Sequence, residues 1–416
     1  MKICLITAFP PSRRGLNEYG YHIACELQRD PLISLTVLGD EIGGSEPELP
    51  DFDVVRCWGF NTAATPARLL AAIRDCNPDV VWFNLLFSTF GDRPLPAFSG
   101  LAIPLLTRLF GYYTHVTLHH LMDNVNLKDA GVRAPRLYRL AGSLATRMLL
   151  GANSISVLLP AYRRTLMEKY RGQNVHFRAH GILSGRPEYP DFSRRGNPEH
   201  RILAFGKWGT YKRLELLMEA FEAVASAVSN CRLIVAGSDH PMTAGYVGEI
   251  ARQYRGNSRI VFTGYVPEDE IPQLFSTATM LVMPYSSATG SSGVAHLACE
   301  YGVPIISADI ADFREMADDE GIAIDFYQVG HAGSLAGKII DLLHSPERQV
   351  QMGEQNFSAA LRMTMPQIIR SYLRSFTLHQ KARAIEPISR FRRIPGWVPS
   401  RSTIFRAAAP RWVPWN

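Results

Sequence analysis

The chain has no closely paired cysteines, no apolar run long enough to cross a bilayer and no broadly spread excess of charge. Six cysteines (Cys4, Cys25, Cys57, Cys76, Cys231 and Cys299) are scattered over 416 residues without a CxxC pair. Most fall in apolar patterns, as buried reduced thiols of a cytosolic protein do. The segment Met1–Ala8 is apolar but too short for a secretory signal, and Pro10 and Pro11 stop it. The stretch nearest to a membrane span, Leu95–Leu109, is interrupted by Pro96, Pro104 and Arg108. A cytoplasmic protein is therefore expected. The net charge is +6, yet Lys381–Asn416 alone holds eight basic residues against one acid, Glu386. The body is thus close to neutral, which argues against a nucleic-acid partner bound in a broad basic groove.

What is present is alternation. The length suggests two domains. Near-continuous apolar strands are expected at Lys2–Ala8, Ser34–Gly39, Val54–Trp58, Val80–Leu85, Val116–His119, Ile155–Leu159 and Val175–His180. Helical patterns separate them, most clearly at Glu18–Arg29, Pro66–Cys76 and Ala134–Leu150. A Pro-, Gly- and charge-rich stretch at 185–199 reads as a linker. A second series follows, with strands at Ile202–Phe205, Arg232–Ala236, Ile260–Thr263, Met280–Met283, Pro304–Ala308 and Ile322–Asp325. Its helices are expected at Leu214–Val228, Ala244–Tyr254, Glu268–Ser276, Val294–Tyr301, Phe313–Asp318 and Gly333–His344. Strands alternating with helices mean parallel sheets covered on both faces. The expected class is α/β, two doubly wound Rossmann-like domains facing across a cleft. The expected divisions are 1–184, the linker 185–199, 200–364, a terminal helix at 365–382 and a basic aromatic tail at 383–416.

Two segments carry anion chemistry. In Arg201–Arg213 a strand ends at Gly206, a loop carries Lys207 and Lys212, and a helix follows. Backbone N–H groups and two ammonium groups then meet where a diphosphate can bind. A solvated loop with two ordinary lysines is the competing reading. The second segment, Thr289-Gly290-Ser291-Ser292-Gly293 before Val294, opens a helix and exposes several N–H donors. A helix merely capped by Ser291 or Ser292 fits it too.

In order and spacing, Gly206–Lys212, Gly264–Ile271, Leu281–Tyr285 and Gly302–Ile306 resemble the carboxyl-terminal half of GT-B glycosyltransferases of the large retaining group-one family. The resemblance covers roughly residues 1–380 and is stronger in the second domain. It implies transfer of a sugar from a nucleotide-diphosphate donor to a saccharide or lipid-linked hydroxyl acceptor, with retention and without a cofactor or metal. Cell-surface polysaccharide or glycolipid synthesis is the implied setting. It places the diphosphate on Lys207, where the family usually has arginine, and on Lys212. It places the donor near Gly15, Gly206 and the Thr289–Val294 loop, and makes His119, at the end of Thr117–His120, the catalytic-site histidine that contacts the donor sugar.

The chain departs from this family at two positions. Its usual pair of glutamates, with seven residues between them, falls on Thr289 and Leu297. Ribose recognition and the donor's identity are therefore open, with His296 and Glu300 as nearby alternatives; a surface glutamate is the blander reading of Glu300. The first glycine-rich loop reads Arg13-Arg14-Gly15, so one of the family's paired glycines is replaced. Asn17 and Glu18 either cap the following helix or meet substrate, with capping the safer reading for Asn17. Arg13 and Arg14 either add positive potential or are solvated. Asp123 and Asn124 are candidates for acceptor hydroxyls. Asp51-Phe52-Asp53 precedes a strand and reads as a turn rather than a metal site.

The runs Phe83–Gly91 and Leu101–Tyr113 are apolar where loops are expected; core packing is the first explanation and an acceptor groove the second. Arg133, Arg136, Arg139 and Arg147 line a helix rich in Leu and Ala, suited to anionic lipid. Phe391, Trp397, Phe405, Trp412 and Trp415 stand among arginines in the tail, which suits either peripheral membrane contact or a disordered tail. Two further readings remain: an epimerase of the same fold, and a non-catalytic subunit that binds a nucleotide-sugar.

Overall fold

In the computed structural model, the described residues are 1–43, 49–123, 135–192, 199–287 and 290–391. The strands β1 (Lys2–Ile6), β2 (Ser34–Asp40), β3 (Val54–Trp58), β4 (Val80–Leu85), β5 (Tyr113–Leu118), β6 (Ser154–Val157) and β7 (Val175–Phe177) form one sheet. A second sheet holds β8 (Arg201–Phe205), β9 (Arg232–Ala236), β10 (Ile260–Gly264), β11 (Met280–Met283), β12 (Ile305–Ala308) and β13 (Ile324–Tyr327). The spatial orders are β3-β2-β1-β4-β5-β6-β7 and β10-β9-β8-β11-β12-β13. Every pairing between these strands is parallel.

The first sheet is connected by α1 (Asn17–Gln28), α2 (Thr65–Cys76), α3 (Pro94–Leu109), α4 (Pro135–Leu149) and α5 (Pro160–Glu168). The second series contains α6 (Glu215–Ala227), α7 (Tyr246–Gln253), α8 (Ile271–Ser276), α9 (Gly293–Glu300), α10 (Ala311–Glu320), α11 (Ala332–Leu343) and α12 (Pro346–Arg362), followed by α13 (Met365–Phe391). All six residues of β4 and all four of β12 are buried. Strands covered on both faces need apolar side chains on both faces, which is why the runs read as continuous rather than alternating. Burying each large side chain of this kind contributes about 1.5–3 kcal/mol.

In both sheets the strand order reverses once, between β1 and β4 and between β8 and β11. Loops leaving neighbouring strands there diverge to opposite faces and open a crevice at the strands' carboxyl ends. The architecture is the expected pair of doubly wound sheets. Contacts divide the chain into two compact units, Met1–Ile369 and Arg370–Asn416; both sheets belong to the first. Within it the chain returns to the region after β7: Ile182 N donates to Met363 O at 3.0 Å and Met365 N to Ser184 O at 3.3 Å.

Several expectations need correction. Leu101–Leu109 is not loop but the second half of α3. Its prolines misled: Pro94 and Pro96 occupy the first turn, where no N–H is needed, and only Pro104 removes an interior donor. The segment after β4 is core, with Phe87 and Phe90 buried. Helices α5 and α12 were not expected from the sequence pattern, and α13 runs to Phe391 rather than residue 382. Residues 392–416, with most of the basic aromatic tail, lie outside the described residues, as do 193–198 of the linker. Among the described residues, no helix is long and apolar enough to cross a membrane.

Candidate functional site

The switch point of the second sheet builds the site. Strand β8 ends at Phe205, and Gly206 and Gly237 follow the ends of β8 and β9 with φ of 155° and 110°. A Cβ on Gly237 would stand 1.9 Å from Gly206 O, so only glycine lets the two loops touch. The indole of Trp208, fully buried, pins the next residue by donating to Ala236 O at 3.0 Å. Gly209 and Lys212 then exchange backbone hydrogen bonds of 2.9 and 3.0 Å, a tight turn that brings Lys212 back over the strand end.

Lys207 is exposed and Lys212 is half-buried. The Lys212 ammonium lies 4.7 Å from the centroid of the Tyr285 ring and 5.9 Å from that of Tyr211. Among the described residues neither lysine makes a salt bridge. Burial lowers the Lys212 pKa, opposed by Tyr211. His240, which sequence reasoning missed, is pushed below its ordinary range by burial and by both lysines. A positive field without a counter-ion among the described residues suits an anion.

These groups open on a cleft of about 680 Å³. Its walls include Gly206, Lys207, Lys212 and Tyr285 from the loops after β8 and β11, with Gly15 from the loop after β1 and Asn17 and Glu18 from the start of α1. Gly290, Ser291, Ser292, Gly293 and Val294 complete it at the start of α9. Thr289 lies outside the described residues. Gly290 has φ 112°, and a Cβ there would come within 2.6 Å of His119 O, so this glycine permits contact between the two halves of the site. Ser292 caps α9, its hydroxyl accepting from Ala295 N at 3.3 Å. Capping leaves room for binding, because a helix's first turn has more N–H groups than one cap satisfies.

His296 lines the cleft but is 1% exposed and engaged on both sides. Nδ1 lies 2.7 Å from Ser292 O and Nε2 lies 2.7 Å from Glu320 Oε2. Both partners are acceptors, so the ring donates twice. Burial alone would lower its pKa; the Glu320 carboxylate and the Ser292 carbonyl outweigh this and leave it raised. Glu300 also lines the cleft, and burial pushes it up to about 7, against His22 and Ser184. The reading of Glu300 as an ordinary surface glutamate is therefore corrected.

The first half of the site is arranged differently. Asn17 begins α1 and does not cap it; its amide donates to Ser12 O at 2.8 Å and ties the loop. Arg14 turns to the buried Asp40 carboxylate at 3.5 Å and stacks 4.2 Å from the Phe60 ring. His119 follows β5 as expected, but its ring is not on the cleft wall. Its Nε2 lies 2.7 Å from Asn84 Oδ1, and Tyr19 and His180, which do line the cleft, pack on it at 4.8 and 5.9 Å. His180 donates from Nδ1 to Gly181 O at 2.8 Å, which leaves Nε2 as an acceptor. Burial and His296 hold it neutral, down at about 3. The signal that pointed to His119, a histidine at a strand's carboxyl end, applies equally to His180. Asp123 is bonded to Lys169 and, at 2.8 Å, to the Tyr170 hydroxyl, and does not line the cleft. Asn124 lies outside the described residues. Among the described residues, no group of three or more His, Cys, Asp or Glu is placed to hold a metal ion.

Residues 199–345 match the family described as Glycosyl transferases group 1. Sulfoquinovosyl transferase SQD2 of Arabidopsis thaliana is 26% identical over 188 residues, which is 45% of this chain and 32% of that protein. The match thus spans about a third of its length. Among solved structures, sucrose-phosphate synthase (tll1590) from Thermosynechococcus elongatus superposes with a TM-score of 0.71 at 15% identity, covering 92% of this chain and 99% of that one. Anabaena Alr3699/HepE, solved in complex with UDP, gives 0.67 at 12% identity, covering 91% and 100%. These likenesses carry the fold across nearly the whole chain. The chain has the GT-B fold of these structures, and its residues 199–345 match the group 1 glycosyltransferase family.

Proposed function

We propose that this protein transfers a glycosyl group from a nucleotide-diphosphate-sugar to a hydroxyl acceptor, with retention and without a metal. One observation carries the reading: Lys207 and Lys212 share a cleft with the glycine-rich start of α9, and among the described residues neither is ion-paired. When a nucleoside diphosphate leaves, negative charge builds on the departing oxygen. Fixed ammonium groups and helix N–H donors stabilise it without reorganisation. The domain match supports the reaction class, and HepE complexes with UDP and with UDP-glucose support a nucleotide-sugar donor. The test is turnover of a donor panel with an acceptor pool in the presence of EDTA, with the anomeric configuration of the product read by NMR. Donor-dependent transfer is expected; no turnover of any donor sinks the reading.

For the acceptor, the reading extends to a lipid-linked saccharide at an anionic membrane surface. Leu137, Leu140 and Leu144 of α4 are exposed along one stripe, with Arg136, Arg139 and Arg147 exposed beside it. Replacing the three leucines with serine is expected to lower sedimentation with phosphatidylserine vesicles at least tenfold; equal sedimentation removes this part. A second reading, epimerisation of the nucleotide-sugar, draws on Glu300, an acid poised near 7 in the cleft. Appearance of an epimerised donor without any acceptor would favour it.

A further inference from the structure

Tyr285 holds a polar group the proposed reaction has not yet used. It follows β11 at the carboxyl end, beside the end of β8, where the second sheet reverses its order. The residue is 3% exposed, and its hydroxyl is buried without a hydrogen-bond partner among the described residues. Buried hydroxyls are almost always bonded, so an orphan on a cleft wall marks a missing ligand or water.

Its surroundings say which ligand. A Cβ built on Gly206 would stand 3.9 Å from the Tyr285 hydroxyl and 3.6 Å from Lys212 Nζ. The phenol and the ammonium therefore converge on the space that the glycine leaves open. The ring is held from three sides, by Tyr211 at 6.0 Å, Phe313 at 5.8 Å and Lys212 above it. Ser286 N donates to Tyr211 O at 2.9 Å, so the loops carrying lysine and phenol are laced together. Burial raises the phenol's pKa, which keeps it a proton donor. Two donors, one cationic, aimed at one point suit a doubly held anionic oxygen rather than a sugar hydroxyl.

We infer that the Tyr285 hydroxyl donates, alongside Lys212 Nζ, to a phosphate oxygen of the nucleoside diphosphate on the floor of the cleft beneath Gly206. The inference rests on the nucleotide-sugar reading and adds a specificity-determining residue to it. The ring supplies the platform for the lysine, and the hydroxyl distinguishes a ligand with a phosphate at that point from one without.

The test is calorimetry of the full chain and its Tyr285→Phe variant with UDP, GDP, ADP and the matching nucleosides. The Phe ring preserves the packing and the contact with Lys212. Because the hydroxyl has no partner among the described residues, the melting temperature of the ligand-free variant is expected to stay level or rise, which separates a ligand role from a structural one. The expected result is a loss of about 10- to 100-fold in affinity for the preferred diphosphate, with nucleoside binding changed less than twofold. Equal diphosphate affinity in the two proteins overturns the inference and leaves the nucleotide-sugar reading standing. Failure of the unaltered protein to bind any diphosphate overturns both. A crystal structure of the diphosphate complex gives a second measurement: a Tyr285 hydroxyl beyond hydrogen-bond reach of every phosphate oxygen also overturns the inference.

Discussion

The loops after β1 and β8, equivalent places in the two sheets, both carry basic residues, yet treat them in opposite ways. In the first half Arg14 is drawn to Asp40, a carboxylate 1% exposed that also accepts from Phe9 N at 3.1 Å and Ser12 Oγ at 2.6 Å, with Arg56 at 3.8 Å. In the second half, among the described residues, neither Lys207 nor Lys212 forms an ion pair, and the Lys212 ammonium stands over the Tyr211 and Tyr285 rings. A cation that already has a buried carboxylate stabilises the loop. A cation held without one keeps its field for a ligand. Position in the fold alone does not separate these roles; the partner does.

The comparison breaks most sharply at Asp40. Asp40→Ala leaves the Arg56 guanidinium largely buried without its carboxylate and is expected to cost about 3–5 kcal/mol in denaturant unfolding. Diphosphate affinity, measured where the variant is still folded, should remain within a few-fold; a large loss of affinity at full stability would reverse the roles of the two halves. Next is Lys212→Ala, expected to lower kcat/KM about 100- to 1000-fold while the melting temperature changes little. Turnover within threefold of normal would end the assignment of that ammonium.

Glu300 sharpens the contrast through pH. Its folded-state pKa is raised from 4.5 to about 7, so its contribution to stability is present below pH 4.5 and is lost as pH rises to about 7. Glu300→Gln removes that dependence. Its melting curve should match that of the unaltered protein near pH 4.5 and exceed it above pH 7, by up to about 3 kcal/mol. A constant difference across this window would mean the carboxyl is ordinary. The smallest effect is expected from Arg14→Ala, a change below twofold in diphosphate affinity, because this guanidinium is already committed; a tenfold loss would erase the distinction.

Much of this was legible in the chain. Strands β3, β4, β9 and β11 occupy the residues that their apolar runs mark; β4 and β11, buried throughout, advertise themselves most plainly. Lys207, Lys212 and Gly290–Val294 were identified from loop chemistry, and the structure brings them to one cleft. His119, implied by the family resemblance, and Asp123, which follows it closely in the chain, do not line it. Their backbone positions are near those expected, but their side chains found partners in Asn84 and Lys169.

Sequence by itself therefore determined the two alternating α/β series, the glycines at the strand ends and the two lysines of the loop after β8, because these depend on local pattern and backbone geometry. Only the tertiary structure decided which charged groups are neutralised within the protein, that His296 is locked to Glu320, and that the Tyr285 hydroxyl and Lys212 aim at one point. Those outcomes depend on residues far apart in the chain meeting within a few ångströms, and short-range pattern carries no record of such meetings.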